Sequence, residues 1–111
     1  MIYHMKLNPR AFEMVKSGTK TIEVRLWDEK RQLLKVGDEV EFANNEDASQ
    51  TFKAKVIDLM QFKTFSEIYG AYPAGDFGGE TKEELEQNIY KYYTKEDEAK
   101  YGVVGIKLEL I

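Results

Sequence analysis

The sequence predicts an α+β domain, a mixed β-barrel of about five or six strands with flanking helices. Three observations carry this. Short segments of alternating hydrophobicity recur from one end of the chain to the other. Helix-start signals at Asn8-Pro9, at Thr81 with Glu84, and at Thr94 fall between them. The final alternating segment, Val103 to Ile111, is placed to close a sheet whose other strands lie far apart in sequence.

Each element has its own reason. Ile2 to Leu7 alternates, with Tyr3, Met5 and Leu7 on one face and His4 and Lys6 on the other. Asn8 is a good N-cap and Pro9 fits the first helical position. Ala11, Phe12 and Val15 form that helix's apolar stripe, and Gly18 stops it. Thr21 to Leu26 is a second strand. Leu33, Leu34 and Val36 lead into the Gly37-Asp38 turn, and Glu39 to Phe42 is a third strand. Asn44-Asn45 and the polar run to Gln50 read as a hairpin loop. Phe52 to Phe62 is a fourth strand, whose phase shifts from Phe52, Ala54 and Val56 to Ile57 and Leu59, as a bulge requires.

Thr64 to Tyr69 is a short helix, followed by a glycine-rich loop from Ala71 to Gly79. Thr81 and Glu84 form a capping box, opening a helix with Leu85, Ile89 and Tyr92 on one face. Thr94 begins a last helix that ends near Gly102. In the closing strand Val104, Ile106, Leu108 and Leu110 face inward and Lys107 and Glu109 outward.

Composition narrows the function. The 111 residues fit one domain, residues 1–111. There is no cysteine, which excludes disulfides, thiolate metal sites and a cysteine nucleophile, and fits a reducing compartment. No signal peptide and no membrane-spanning run is visible, so a cytoplasmic location is expected. The net charge of −4 argues against a broad cationic face for duplex binding. A pocket with local positive charge remains compatible with it. No metal is expected, because Asp76 and Glu80 have no third ligand. No cofactor is expected either, because Gly78-Gly79 lacks a nucleotide-binding fingerprint.

The chemistry concentrates in Gly18-Thr19-Lys20-Thr21-Ile22-Glu23-Val24-Arg25. Alternation sends Ile22, Val24 and Leu26 to the core and puts Thr21, Glu23, Arg25 and Trp27 on the opposite face. Lys20, at the helix-to-strand junction, can reach the same mouth. Arg25 offers a planar fork for phosphate or a base edge. Lys20 can act as a charge, a base or a nucleophile, and Glu23 can orient a cation or move a proton. On pattern alone, a Glu and an Arg two apart on a strand are more often a solvated ion pair.

The pattern Gly18-x-Lys20-x-x-Glu23-x-Arg25 resembles the signature of the ASCH (activating signal cointegrator homology) family, which is PUA-like. Asp28-Glu29-Lys30-Arg31, Gly37-Asp38-x-Val40-x-Phe42 and Gly102-Val103-Val104-Gly105-Ile106 extend the resemblance over nearly the whole chain, toward small stand-alone bacterial members. It implies a β-barrel with helices flanking a cleft, and RNA or a modified nucleoside as partner. It also implies two activities known among such members, ribonuclease cleavage of single-stranded RNA and deacetylation of acetylated cytidine. In the deacetylating members the motif lysine matches Lys20, while their threonine nucleophile falls where this chain has Glu23. Glu80 is the nearest match to their further glutamate, offset by a residue or two. The cleaving members keep the whole motif: Lys20 and Arg25 would hold phosphate and Glu23 would take the 2′-hydroxyl proton.

The expected site is therefore Lys20, Glu23 and Arg25 as the catalytic set, with Gly18, Thr21, Trp27 and Glu80 around the substrate. Trp27 can stack on a base or cover one barrel end. His4 reads as a structural histidine. Tyr72 and Phe77 can form a lid or anchor their loop, and of Tyr90, Tyr92 and Tyr93 at least one is core. Lys53 and Lys55 read as a solvated strand face. An RNA-binding domain is the leading expectation, a small hydrolase the alternative, and a protein-interaction domain the third.

Overall fold

A computed structural model describes residues 2–111. Strand β1 (Ile2–Leu7) leads into helix α1 (Pro9–Lys16). The Asn8 side chain caps α1 by accepting from the Ala11 N–H at 2.8 Å. Gly18 follows with φ of 82°, the left-handed turn that sends the chain back into β2 (Ile22–Leu26). A single 3₁₀ turn, Arg31–Leu33, precedes β3 (Glu39–Asn44) and β4 (Asp47–Phe62). Helix α2 (Phe65–Ala71), a 3₁₀ turn at Ala74–Phe77, α3 (Lys82–Ile89) and α4 (Lys95–Tyr101) come next. Strand β5 (Val103–Leu110) ends the fold.

The five strands form one mixed sheet in the order β1-β3-β4-β5-β2. Only the β1–β3 pair is parallel, and the excursion through α1 and β2 supplies its crossover. The result is an α+β half-barrel. β5 joins β4 to β2, and the open seam lies between the edge strands β1 and β2.

Two apolar cores lie on the two faces of the sheet. Phe12 and Val15 of α1 pack on Val40, Phe42, Val56, Val104 and Ile106 inside the half-barrel. Phe65, Ile68 and Tyr69 of α2 and Leu85 of α3 pack on Ile22, Val24, Leu26 and Val103 outside it. Covering both faces changes the expected pattern of β5. Val103 is buried as well as Val104, and Leu110, beyond the last core residue of its face, is 43% exposed.

Three local expectations change. The turn before β4 is tighter than the polar run suggested, since β4 already begins at Asp47. Its polar side chains bond to one another: Asp47 accepts from Ser49 and Gln50, and Asn44 donates to Gln50. The expected bulge in β4 is there, between Val56 and Asp58, but it leaves Ile57 unpaired and exposed, and only Leu59 resumes the inner phase. Helix α3 ends at Ile89, so Tyr92 is not on its buried face. Tyr90 and Tyr93 take the places against Phe65, at ring distances of 5.7 Å, and Tyr92 turns outward. Among the described residues no helix is long and apolar enough to cross a membrane.

Candidate functional site

Alternation places Glu23 and Arg25 opposite the apolar residues of β2, yet that face is not open water. Their cross-strand partners on β5 are Ile106 and Val104, both in the core under α1. Glu23 is thus only 6% exposed, at the inner rim of the half-barrel. A buried carboxylate needs compensation. Lys20 Nζ lies 3.3 Å from Glu23 Oε1, and Arg25 Nε lies 3.9 Å from the same oxygen. The Val24 N–H donates to it at 3.2 Å. The other oxygen, Oε2, is buried and has no partner among the described residues.

Burial by itself raises the Glu23 carboxyl. The charges of Lys20 and Arg25, with the hydrogen bonds from Lys20 and Val24, outweigh burial and hold it below the usual carboxylate range. Glu23 is therefore ionised at neutral pH. Tyr69 stands nearby in α2. Burial first, and then the Glu23 charge, push its phenol well above the ordinary value, so it stays a neutral hydroxyl.

Backbone geometry holds the two cations in place. The Lys20 N–H bonds to the Met14 carbonyl at 3.0 Å. Gly78, at φ of 81°, brings the 3₁₀ turn so close that an added Cβ would fall 2.9 Å from Met14 Cε and 3.3 Å from Lys20 Cδ. That close approach seats the lysine stem. Arg25 Nη2 donates to the Lys6 carbonyl at 3.1 Å, so its guanidinium spans the seam between β2 and β1.

Above these residues opens a cleft of about 650 Å³, within the range of small-molecule sites. Its lining includes Lys6, Arg10, Lys20, Arg25 and Lys91 against the carboxylates Glu23 and Glu84. On a chain of net charge −4 this is a local reversal of sign. The walls add Tyr69, Phe77, Tyr92 and Tyr93. Tyr92 is 69% exposed at the cleft wall.

Of the expected site residues, the fold brings Lys20, Glu23 and Arg25 together at this cleft. The other four lie outside its lining. Gly18 is the exposed turn after α1. Thr21 is tied through its backbone to Asp76 and Leu108, at 2.9 Å each. Trp27 packs against the inner core. Glu80 is exposed before α3, and Glu84, one turn further on, lines the cleft. Phe77 is buried against Tyr69 at a ring distance of 4.9 Å, anchoring its loop. His4 is largely exposed, 3.3 Å from Glu41. Among the described residues no three His, Asp or Glu side chains form a group able to hold a metal ion.

Sequence reading missed Lys6, Arg10, Tyr69, Lys91 and Tyr92 as cleft residues. They come from β1, α1, α2 and the turn after α3, so no single motif spans them. The one available signal was the Tyr90-Lys91-Tyr92-Tyr93 cluster, which mixes aromatic rings with a cation.

Comparison with known proteins agrees with this architecture. No curated protein matches the sequence. The crystal structure of hypothetical protein PH0355 is similar at 34% identity and a TM-score of 0.88, over 100% of both chains. The solution structure of protein PF0455 from Pyrococcus furiosus is similar at 32% identity and a TM-score of 0.80, over 100% of this chain and 98% of that one. The ASCH protein from Zymomonas mobilis shares the fold, with a TM-score of 0.71 at 16% identity over 97% of this chain and 66% of that one. The profile of the ASCH domain covers residues 5–111. With that profile and relatives above 30% identity matching end to end, the chain belongs to the ASCH domain family, whose half-barrel is PUA-like.

Proposed function

We propose that the cleft binds a nucleotide unit of single-stranded RNA. One observation carries this reading: five cations and two carboxylates line a nucleotide-sized cleft on an otherwise acidic chain. Lys20 and Arg25 hold the phosphate, Arg25 with its planar fork. Tyr92 offers its ring face for stacking on the base. Glu23 serves as a fixed anion that orients both cations. The family's association with RNA points the same way.

Ribonuclease cleavage is the second reading, favoured by the 3.3 Å Lys20–Glu23 pair at the cleft wall. Lys20 and Arg25 would stabilise the charge that develops on the phosphate, and Glu23 would accept the 2′-hydroxyl proton. Glu23 is poorly suited to that part, because a carboxyl held below its usual range is a weak proton acceptor at neutral pH. The deacetylase version lacks its threonine at Glu23. Binding therefore leads.

The test is titration of a short fluorescent single-stranded RNA into the wild type and into Arg25→Ala and Tyr92→Ala variants. Each substitution is expected to weaken binding about tenfold, since a charge-assisted bond or a stacked base contributes roughly 1–3 kcal/mol. Unchanged affinity in both variants would sink the cleft as the site. Mass spectrometry of RNA and of acetylated cytidine after incubation reads the second hypothesis in the same samples. Products that vanish with Lys20→Ala would establish an enzyme. RNA products that disappear in Glu23→Gln, with binding intact, would assign the proton transfer to Glu23.

A further inference from the structure

A second cavity, of about 460 Å³, adjoins the cleft on the other side of Arg25. Arg25 and Lys6 line both spaces. His4, Lys30, Arg31 and Glu41 complete its charged lining. Four permanent cations thus face one carboxylate, and that carboxylate is already 3.3 Å from His4 Nδ1.

Arg31 is the informative member. Asp28 clamps it, accepting from its backbone N–H at 3.1 Å and from Nη1 at 3.2 Å. The clamp engages one arm of the guanidinium and fixes its orientation. The Nε–H is buried and has no acceptor among the described residues. That donor is closed to the cavity, so what Arg31 offers a ligand there is the charge of a guanidinium held in place by Asp28. Arg31 is outside the cleft's lining, so the cleft's own chemistry does not account for it.

Resting on the nucleotide reading of the cleft, we propose that this second cavity is a phosphate subsite that takes the phosphate adjoining the bound nucleotide. Arg31 supplies the oriented guanidinium, and Lys30 and Lys6 add positive charge. Arg25, shared by both cavities, stands at the junction between the two nucleotides. The ligand is then a strand of RNA and not a free nucleoside or mononucleotide, because a single nucleotide leaves one of two adjoining cationic sites empty. Two local phosphate sites also reconcile strand binding with an acidic chain, since no extended cationic face is required.

The test uses the full chain and three probes: a mixed-sequence RNA hexamer, the four nucleoside 5′-monophosphates, and inorganic phosphate. The variants are Lys30→Glu, an exposed position away from any core, and Arg31→Ala, each checked for a wild-type far-UV spectrum. The wild type is expected to bind the hexamer at least tenfold more tightly than any monophosphate. Both variants are expected to bind the hexamer about tenfold more weakly while monophosphate affinity stays within twofold. The slope of log affinity against log salt should become shallower by about 0.7, the share of a single neutralised phosphate. Hexamer affinity and slope unchanged in both variants, with monophosphate still bound, would overturn the subsite and leave the cleft reading standing. Inorganic phosphate binding as tightly as the hexamer would overturn the strand assignment. Failure of the wild type to bind either nucleotide probe would overturn both the cleft reading and the subsite.

Discussion

At the scale of single residues, Glu23 shows how position changes the meaning of a charged pair. Three donors approach one oxygen of a carboxylate that is almost wholly buried. Burial opposes its ionisation and the two cations more than restore it. A carboxyl with a depressed folded-state pKa contributes stability above its unfolded value, near 4.5, and loses it as pH falls through the folded value. Glu23→Gln should therefore destabilise the fold at pH 7, by about 1–3 kcal/mol for a buried bond to charged groups. The gap between wild type and variant should narrow in acid. Urea denaturation at pH 7 and at about pH 3.5, below the unfolded value, measures both. An equal gap at the two pH values would show that the charge of Glu23 carries none of the effect.

At the scale of elements, the helices are tied to one another by a buried group that has no local sequence signal. Glu98 of α4 accepts from the Phe65 N–H at 2.7 Å, satisfying a free donor in the first turn of α2. It also accepts from the Tyr90 hydroxyl at 2.8 Å. Burial first, and then Glu98, push the Tyr90 phenol up to about 12. The stability linked to that phenol is present below about pH 10 and lost as pH rises toward 12. Glu98→Ala should cost about 2–3 kcal/mol in thermal or chemical unfolding, because it strands a buried donor. Gly105 performs a different task in β5. A Cβ there would lie 2.6 Å from Ile68 Cδ1 and 3.2 Å from Ile22 Cγ2, so the bare backbone lets α2 press onto the sheet. Gly105→Ala should destabilise by about 1–3 kcal/mol through overpacking. Gly75→Ala, where nothing lies within 4 Å, is the control expected to change little.

At the scale of the whole molecule, a chain of net charge −4 gathers cations around the seam between β1 and β2. Under the proposed reading of the cleft, single-stranded RNA should bind with a shallow salt dependence. Two phosphates at about 0.7 each give a slope near −1.4, so raising salt fourfold should weaken binding only about sevenfold. A titration at about 50 and 200 mM salt checks this, and a thousandfold weakening would mean a far longer polyanion track than the seam provides. Duplex RNA of equal length should bind more weakly, because its bases cannot leave the stack to reach Tyr92.

Local pattern located the five strands, though not where β4 begins, together with the helix starts and the Lys20–Glu23–Arg25 motif, because caps, alternation and a contiguous motif are local properties. Asn8, Thr81 and Thr94 each cap the helix that their position implies. The burial of Glu23 comes from long-range pairing. The face opposite Ile22 and Val24 is covered by Ile106 and Val104, from the far end of the chain, and no property of β2 alone can report that. The same holds for the cleft's further cations and for Tyr92, which meet across the seam from β1, α1 and the turn after α3. Pairing order and two-sided burial are set where distant segments meet, and charge acquires its function only where that meeting places it.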